Sequence, residues 1–189
     1  MTEPPLENPV SGIRKRKKKS LIMINTGNGK GKTTAALGVA MRCVGNKMKV
    51  FIVQFIKGSW KYGELVVAEK LAPYLEIKAM GEGFTWETKN RARDVEMTEK
   101  AWEVGSSKMM SGKYDLVVFD EINYVIDYKY LDVKKVVLAL KKKPENVHVI
   151  LTGRNAHSDL VDIADLVTEM KEIKHPFKEG ILAQKGIEF

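Results

Sequence analysis

The chain has one cysteine, Cys43, among its 189 residues. That excludes an intramolecular disulfide and any cysteine-cluster metal site. Long apolar runs are missing too: stretches such as 21–24 and 117–119 fall far short of the roughly 18 residues of a membrane span. No apolar block precedes Leu21, so no secretory signal is expected, and a reducing, cytoplasmic location is. Proline is scarce, and three of its six copies, Pro4, Pro5 and Pro9, lie near the N-terminus.

Positive charge is plentiful, but it is concentrated. The net charge of +8 includes an unbroken run of six cations from Arg14 to Lys19, without which it falls to +2. Such a run is ordinarily a solvated tail; an arm for phosphate-rich partners is the alternative. No base-stacking aromatics interleave with the run, which disfavours nucleic acid as its partner. Residues 1–19 therefore read as a basic, disordered extension, and residues 20–189 as one domain of ordinary size.

From Leu21 onward, short β-branched runs alternate with longer amphipathic segments. Strands are expected at 21–26, 50–55, 75–80, 115–120, 147–152 and 166–170, and helices at 32–45, 64–71, 89–110, 133–142 and 158–163. This alternation specifies an α/β fold: a parallel sheet of about five to six strands flanked by helices. Ligands of such sheets bind beyond the carboxyl ends of the strands, where the chemically unusual residues of this chain fall.

The first of these is the junction after strand one, Thr26-Gly27-Asn28-Gly29-Lys30-Gly31-Lys32-Thr33-Thr34. It matches the phosphate-binding pattern G-x-x-x-x-G-K-[ST] with Thr26 in the first glycine position. Gly27, Gly29 and Gly31 allow backbone N–H groups to close around phosphate oxygens, and the following helix contributes its N-terminal dipole. Lys32 supplies a charge and Thr33 a hydroxyl for Mg²⁺. Such a loop needs a metal-holding acid on a neighbouring strand. Four apolar residues ending in Asp120-Glu121 provide one, with an N-cap role for Asp120 as the plainer alternative. A nucleoside triphosphate with Mg²⁺ on a P-loop NTPase (RecA-like) fold is the expected combination. Phe84 and Trp86, in the glycine-flanked loop 81–88, would form either a loop-pinning cluster or an apolar wall for a planar ligand.

Gly27–Thr34, Val53–Gly58 with Trp60 and Gly63-Glu64, the Phe84-Thr85-Trp86 loop, Asp120-Glu121, Tyr128–Leu131, Thr152-Gly153-Arg154, Lys174-His175 and Ala183–Glu188 together resemble the P-loop type of ATP:cob(I)alamin adenosyltransferases. The resemblance runs from about residue 20 to the C-terminus, and it departs from the family pattern at Pro176 after His175. It implies transfer of the 5′-deoxyadenosyl group of ATP to the Co(I) of a reduced corrinoid, with triphosphate released and the nucleotide lying reversed relative to most P-loop enzymes. By the same resemblance Lys32, Phe84 and Trp86 would be catalytic, the two aromatics displacing the lower axial ligand of cobalt. Residues Gly27 to Thr34, with Arg42 and Arg154, would bind nucleotide, and Thr33, Asp120 and Glu121 would hold Mg²⁺. A flavoprotein electron donor and a homodimer are implied as well. His175 reads as a hydrogen-bonded loop histidine, and Cys43 as a small core residue. Two other readings remain open at this point: an ATPase of RecA type acting with nucleic acid, and a nucleotide-gated module that carries corrinoid without turning it over.

Overall fold

The computed structural model describes residues 19–58, 62–81 and 90–188. Six strands, β1 (Ile22–Thr26), β2 (Val50–Gln54), β3 (Leu75–Ala79), β4 (Leu116–Asp120), β5 (His148–Thr152) and β6 (Leu166–Glu169), form one sheet in the order β3-β2-β4-β5-β1-β6. Every pairing is parallel. All six strands fall within the segments expected from sequence. The expected adjacency of the glycine-rich strand and the acidic strand does not hold, because β5 lies between β1 and β4.

The central strands are apolar throughout because both of their faces are covered. Along β2, Phe51 and Val53 enter one core and Val50 and Ile52 the other; β4 divides Val117 and Phe119 from Leu116 and Val118 in the same way. Helix α1 (Lys32–Gly45) meets the second face through Ala36 and Ala40, small residues that let it approach closely. Cys43 is half-buried at the margin of that cluster, and burial pushes its thiol pKa up. Helix α2 (Gly63–Lys70) adds Ala68 to the same face. The opposite face carries α3 (Arg91–Met110), α4 (Ile122–Asp127), α5 (Val133–Lys141) and α6 (Ser158–Val161), with Trp102, Val125, Leu140 and Leu160 buried. Helix α4 answers to no segment expected from sequence.

Gly105 lies inside the 20-residue α3, where glycine costs about 1 kcal/mol relative to alanine. Its reason is contact: a Cβ there would stand 2.6 Å from Cε1 of Phe119 and 2.8 Å from Cγ1 of Val53. Gly105→Ala is therefore expected to destabilise by about 1–3 kcal/mol through overpacking, despite better helix propensity. A thermal midpoint lower by several degrees would show it, and a raised midpoint would contradict it.

β6 is an exception to the covered sheet. All four of its residues are exposed, Leu166 and Val167 included. After it, Pro176 opens a short 3₁₀ turn (Pro176–Glu179), and His175 Nδ1 accepts the N–H of Phe177 at 3.1 Å. Pro176 thus starts a turn it is suited to, and His175 is the hydrogen-bonded loop histidine expected. No helix among the described residues is long and apolar enough to cross a membrane.

Candidate functional site

The loop 26–34 joins β1 to α1 at the carboxyl edge of the sheet, where Gln54, Asp120 and Thr152 also end their strands. Thr26, in the position usually given to glycine, uses its side chain: Oγ1 accepts the N–H of Ala156 at 3.1 Å and ties the loop to the segment after β5. Gly27 has φ +92°, and a Cβ there would stand 2.5 Å from the Met170 carbonyl oxygen, so only glycine fits. That carbonyl accepts the N–H of Gly29 at 2.7 Å, and the Met170 side chain lies against Gly31. Gly31, at φ +107°, caps α1 without a side-chain acceptor. The first-turn N–H groups of the helix gain no side-chain partner from it, the arrangement that suits an anion.

Lys32 is 8% exposed, and its ammonium donates to the carbonyls of Gly27 and Gly29, each at 2.8 Å. Burial lowers its pKa, while the nearby Glu121 carboxylate pulls the other way. Asn28, Lys30 and Thr34 are exposed around the same loop, with Lys30 paired to Glu188. Although β5 separates the two strands, Thr33 Oγ1 donates to Asp120 Oδ1 at 2.8 Å. Thr152, on the intervening strand, bridges the gap: its hydroxyl donates to the same oxygen at 2.7 Å and accepts the N–H of Glu121 at 2.8 Å.

Asp120 is 1% exposed and caps no helix. The N-cap of α4 is Glu121, which makes no side-chain cap bond and sits at φ 65° in the left-handed region. A non-glycine residue there carries strain of order 1–3 kcal/mol, a cost concentrated at functional sites. Burial first, and the charge of Asp120 second, push the Glu121 pKa up to about 7. Arg154 follows Gly153 at the end of β5, exposed but near enough for its charge to act on Lys32 and Glu121. Arg42 is not brought to the loop within one chain. It occupies the last turn of α1, about 15 Å of helix beyond Lys32 at roughly 1.5 Å per residue.

Gln54, Glu64, Thr152 and Met170 have no role expected from sequence. The first three bond to Asp120 directly or through one another, and Met170 backs the glycine loop. One signal was available for Gln54, an amide ending a run of four apolar residues. Trp60, Phe84 and Trp86 lie outside the described residues.

Comparison with known proteins shows the family to which the chain belongs. The model of the ATP:corrinoid adenosyltransferase family BtuR/CobO/CobP matches residues 18–189. The chain belongs to this family. It is 50% identical over 177 residues to a corrinoid adenosyltransferase of Sinorhizobium sp, a match covering 93% of this chain and 83% of that one. It is 42% identical over 174 residues to the corrinoid adenosyltransferase CobA of Salmonella typhimurium, covering 92% and 88%. To the Pseudomonas aeruginosa corrinoid adenosyltransferase it is 41% identical over 174 residues, covering 92% and 86%. The bonded set Thr33, Asp120 and Thr152 stands beside the glycine loop and Lys32 at the carboxyl ends of the strands, where ligands of parallel sheets bind.

Proposed function

We propose that this protein carries out its family's reaction, transfer of the 5′-deoxyadenosyl group of ATP to the cobalt of a reduced corrinoid, on the loop 26–34. In that reaction the Co(I) electron pair forms the Co–C5′ bond and the C5′–O bond breaks with its pair going to triphosphate. Cobalt becomes formally Co(III). No proton has to be abstracted, so the protein's work is positioning and stabilisation of the charge that builds on the departing oxygen. Lys32 would exchange its two carbonyl partners for phosphate oxygens, and the Gly29 N–H would exchange the Met170 carbonyl for one. Arg154 would add charge from the end of β5.

The observation that carries this assignment is the Thr33–Asp120 hydrogen bond of 2.8 Å. It joins the hydroxyl that ends the glycine loop to a buried carboxylate across an intervening strand. With Glu121 beside them, the donors are all oxygen, as Mg²⁺ requires when it keeps several waters and takes its remaining ligands from phosphates. Mg²⁺ held by Thr33, Asp120 and Glu121 would neutralise charge on the triphosphate oxygens. Asp120→Asn keeps the shape and removes the charge. It is expected to demand at least about 10-fold more Mg²⁺ for half-maximal turnover; an unchanged Mg²⁺ requirement would contradict the assignment.

For the corrinoid side we propose Phe84 and Trp86 as the apolar wall that displaces the lower axial ligand of cobalt, with a flavoprotein as electron donor. A cytoplasmic location accords with the lone half-buried thiol. A homodimer is also proposed, because parallel strands are normally covered on both faces and, among the described residues, β6 is covered on neither. Ile173, Phe177, Leu182 and Ile187 are each at least 76% exposed just beyond it. Sedimentation is expected to give twice the mass of one chain, and Phe177→Glu with Leu182→Glu to halve it. A monomeric wild type would overturn the dimer.

A further inference from the structure

Gln54 ends β2 after four buried apolar residues and is itself 1% exposed. Its Nε2 donates to two carboxylates on different elements: Oδ2 of Asp120 on β4 and Oε1 of Glu64 in the first turn of α2, each at 3.2 Å. The sense of the amide follows from its partners, because the reversed amide would aim a carbonyl oxygen at two anions. Oε1 is thereby left buried with no partner among the described residues. A fold optimised for stability alone would not keep a buried acceptor unpaired, and local rules of this kind are broken chiefly where function requires it.

The gain is at Asp120. Its Oδ1 is taken by the hydroxyls of Thr33 and Thr152, which alone would leave the carboxylate free to turn about that oxygen. The Gln54 donor on Oδ2 fixes its plane. Glu64, in turn paired with Lys57, anchors the amide from the other side. Lysine at position 54 would add a charge against the site, and glutamate would crowd three carboxylates together. A neutral side chain with two donors on one nitrogen meets both demands.

We propose that Gln54 is a positioning residue for the nucleotide's metal: by holding Oδ2 of Asp120 against Glu64, it fixes the orientation in which Asp120 meets Thr33, and so sets the Mg²⁺-dependent part of ATP affinity. This rests on the reading of Thr33 and Asp120 as the metal side of the triphosphate site. It adds a residue that acts through Asp120 without touching substrate.

The test is ATP binding by calorimetry, without corrinoid, in Mg²⁺ and in EDTA. Gln54→Met fills the same space without the donors. It is expected to lose at least about 10-fold of the affinity measured in Mg²⁺, the range typical of groups that orient metal ligands, while affinity in EDTA stays within about twofold. Glu64→Gln keeps an acceptor for Gln54 but loses the Lys57 pair that anchors it, and is expected to lose clearly less affinity in Mg²⁺ than Gln54→Met. Gln54→Asn, one methylene too short to bridge both carboxylates, should lose affinity in the same direction and serves if the methionine variant does not fold. Wild-type affinity in the Gln54 variants, or equal losses with and without Mg²⁺, would overturn the proposal. So would a Glu64→Gln loss as large as that of Gln54→Met, which would place the effect on the Lys57 ion pair. Wild-type binding that ignores Mg²⁺ would instead overturn the metal-site reading itself. Absence of adenosyl transfer would bear on the reaction and leave this test intact.

Discussion

Lys32→Met is expected to lower kcat/KM for ATP by about 10²–10³-fold, with most of the loss in kcat. The ammonium is buried inside the loop, and once bound ATP has replaced its two carbonyl partners with phosphate oxygens it is already in place when charge develops on the leaving triphosphate. Removing one such preorganised donor typically costs about 10²–10³ in rate. The loss falls on kcat because the charge on the bridging oxygen is larger in the transition state than in bound ATP. Unfolding is not expected to confuse the reading. The variant removes a buried charge whose ionised form burial already disfavours, so the thermal midpoint without ligand should hold or rise. Lys32→Arg should not rescue, since a planar guanidinium does not substitute for a compact ammonium between two carbonyls. A variant with normal kcat and only a raised KM would assign Lys32 to uniform binding and contradict its catalytic role.

The second large effect separates the two oxidation states of cobalt. Phe84→Ala with Trp86→Ala is expected to lower turnover from cob(II)alamin and a reductant by about 100-fold, yet to leave transfer to chemically prepared cob(I)alamin within about 10-fold. Losing the lower axial ligand raises the reduction potential, because axial ligation is a principal lever on such centres. A one-electron equilibrium moves tenfold per 59 mV, so about 120 mV suffices for the factor of 100. Once Co(I) is supplied, that contribution is no longer needed. Equal losses from both starting states would make the two aromatics a binding surface only.

Much of this fold was legible because its local signals agree with one another. Uninterrupted runs such as 50–53 and 116–119 could only be strands covered on both faces, and the Gly-Lys-Thr-Thr junction marked both a strand end and a helix start. The strand order was not legible. Hydrophobic pattern shows that β1 and β4 are buried, but not that β5 separates them, and for that reason Thr152 went unnoticed as the bridge between Thr33 and Asp120. Helix α4 was missed because it is six residues long and is capped by Glu121, whose left-handed backbone nothing in the local sequence announces. Arg42 shares a helix with Lys32, and ten residues of rise place it about 15 Å along that helix within one chain. Gln54 meets Asp120 because β2 pairs with β4, and meets Glu64, ten residues on, because α2 follows the end of β2.

The most direct measurement is an anaerobic reaction of the protein with Mg²⁺-ATP and chemically reduced cob(I)alamin, followed by visible spectrum and by analysis of the phosphate released. A light-sensitive Co–C product formed with one triphosphate per cobalt is the expected result. ADP and orthophosphate beside an unchanged corrinoid would contradict it and make the loop 26–34 the site of a hydrolase.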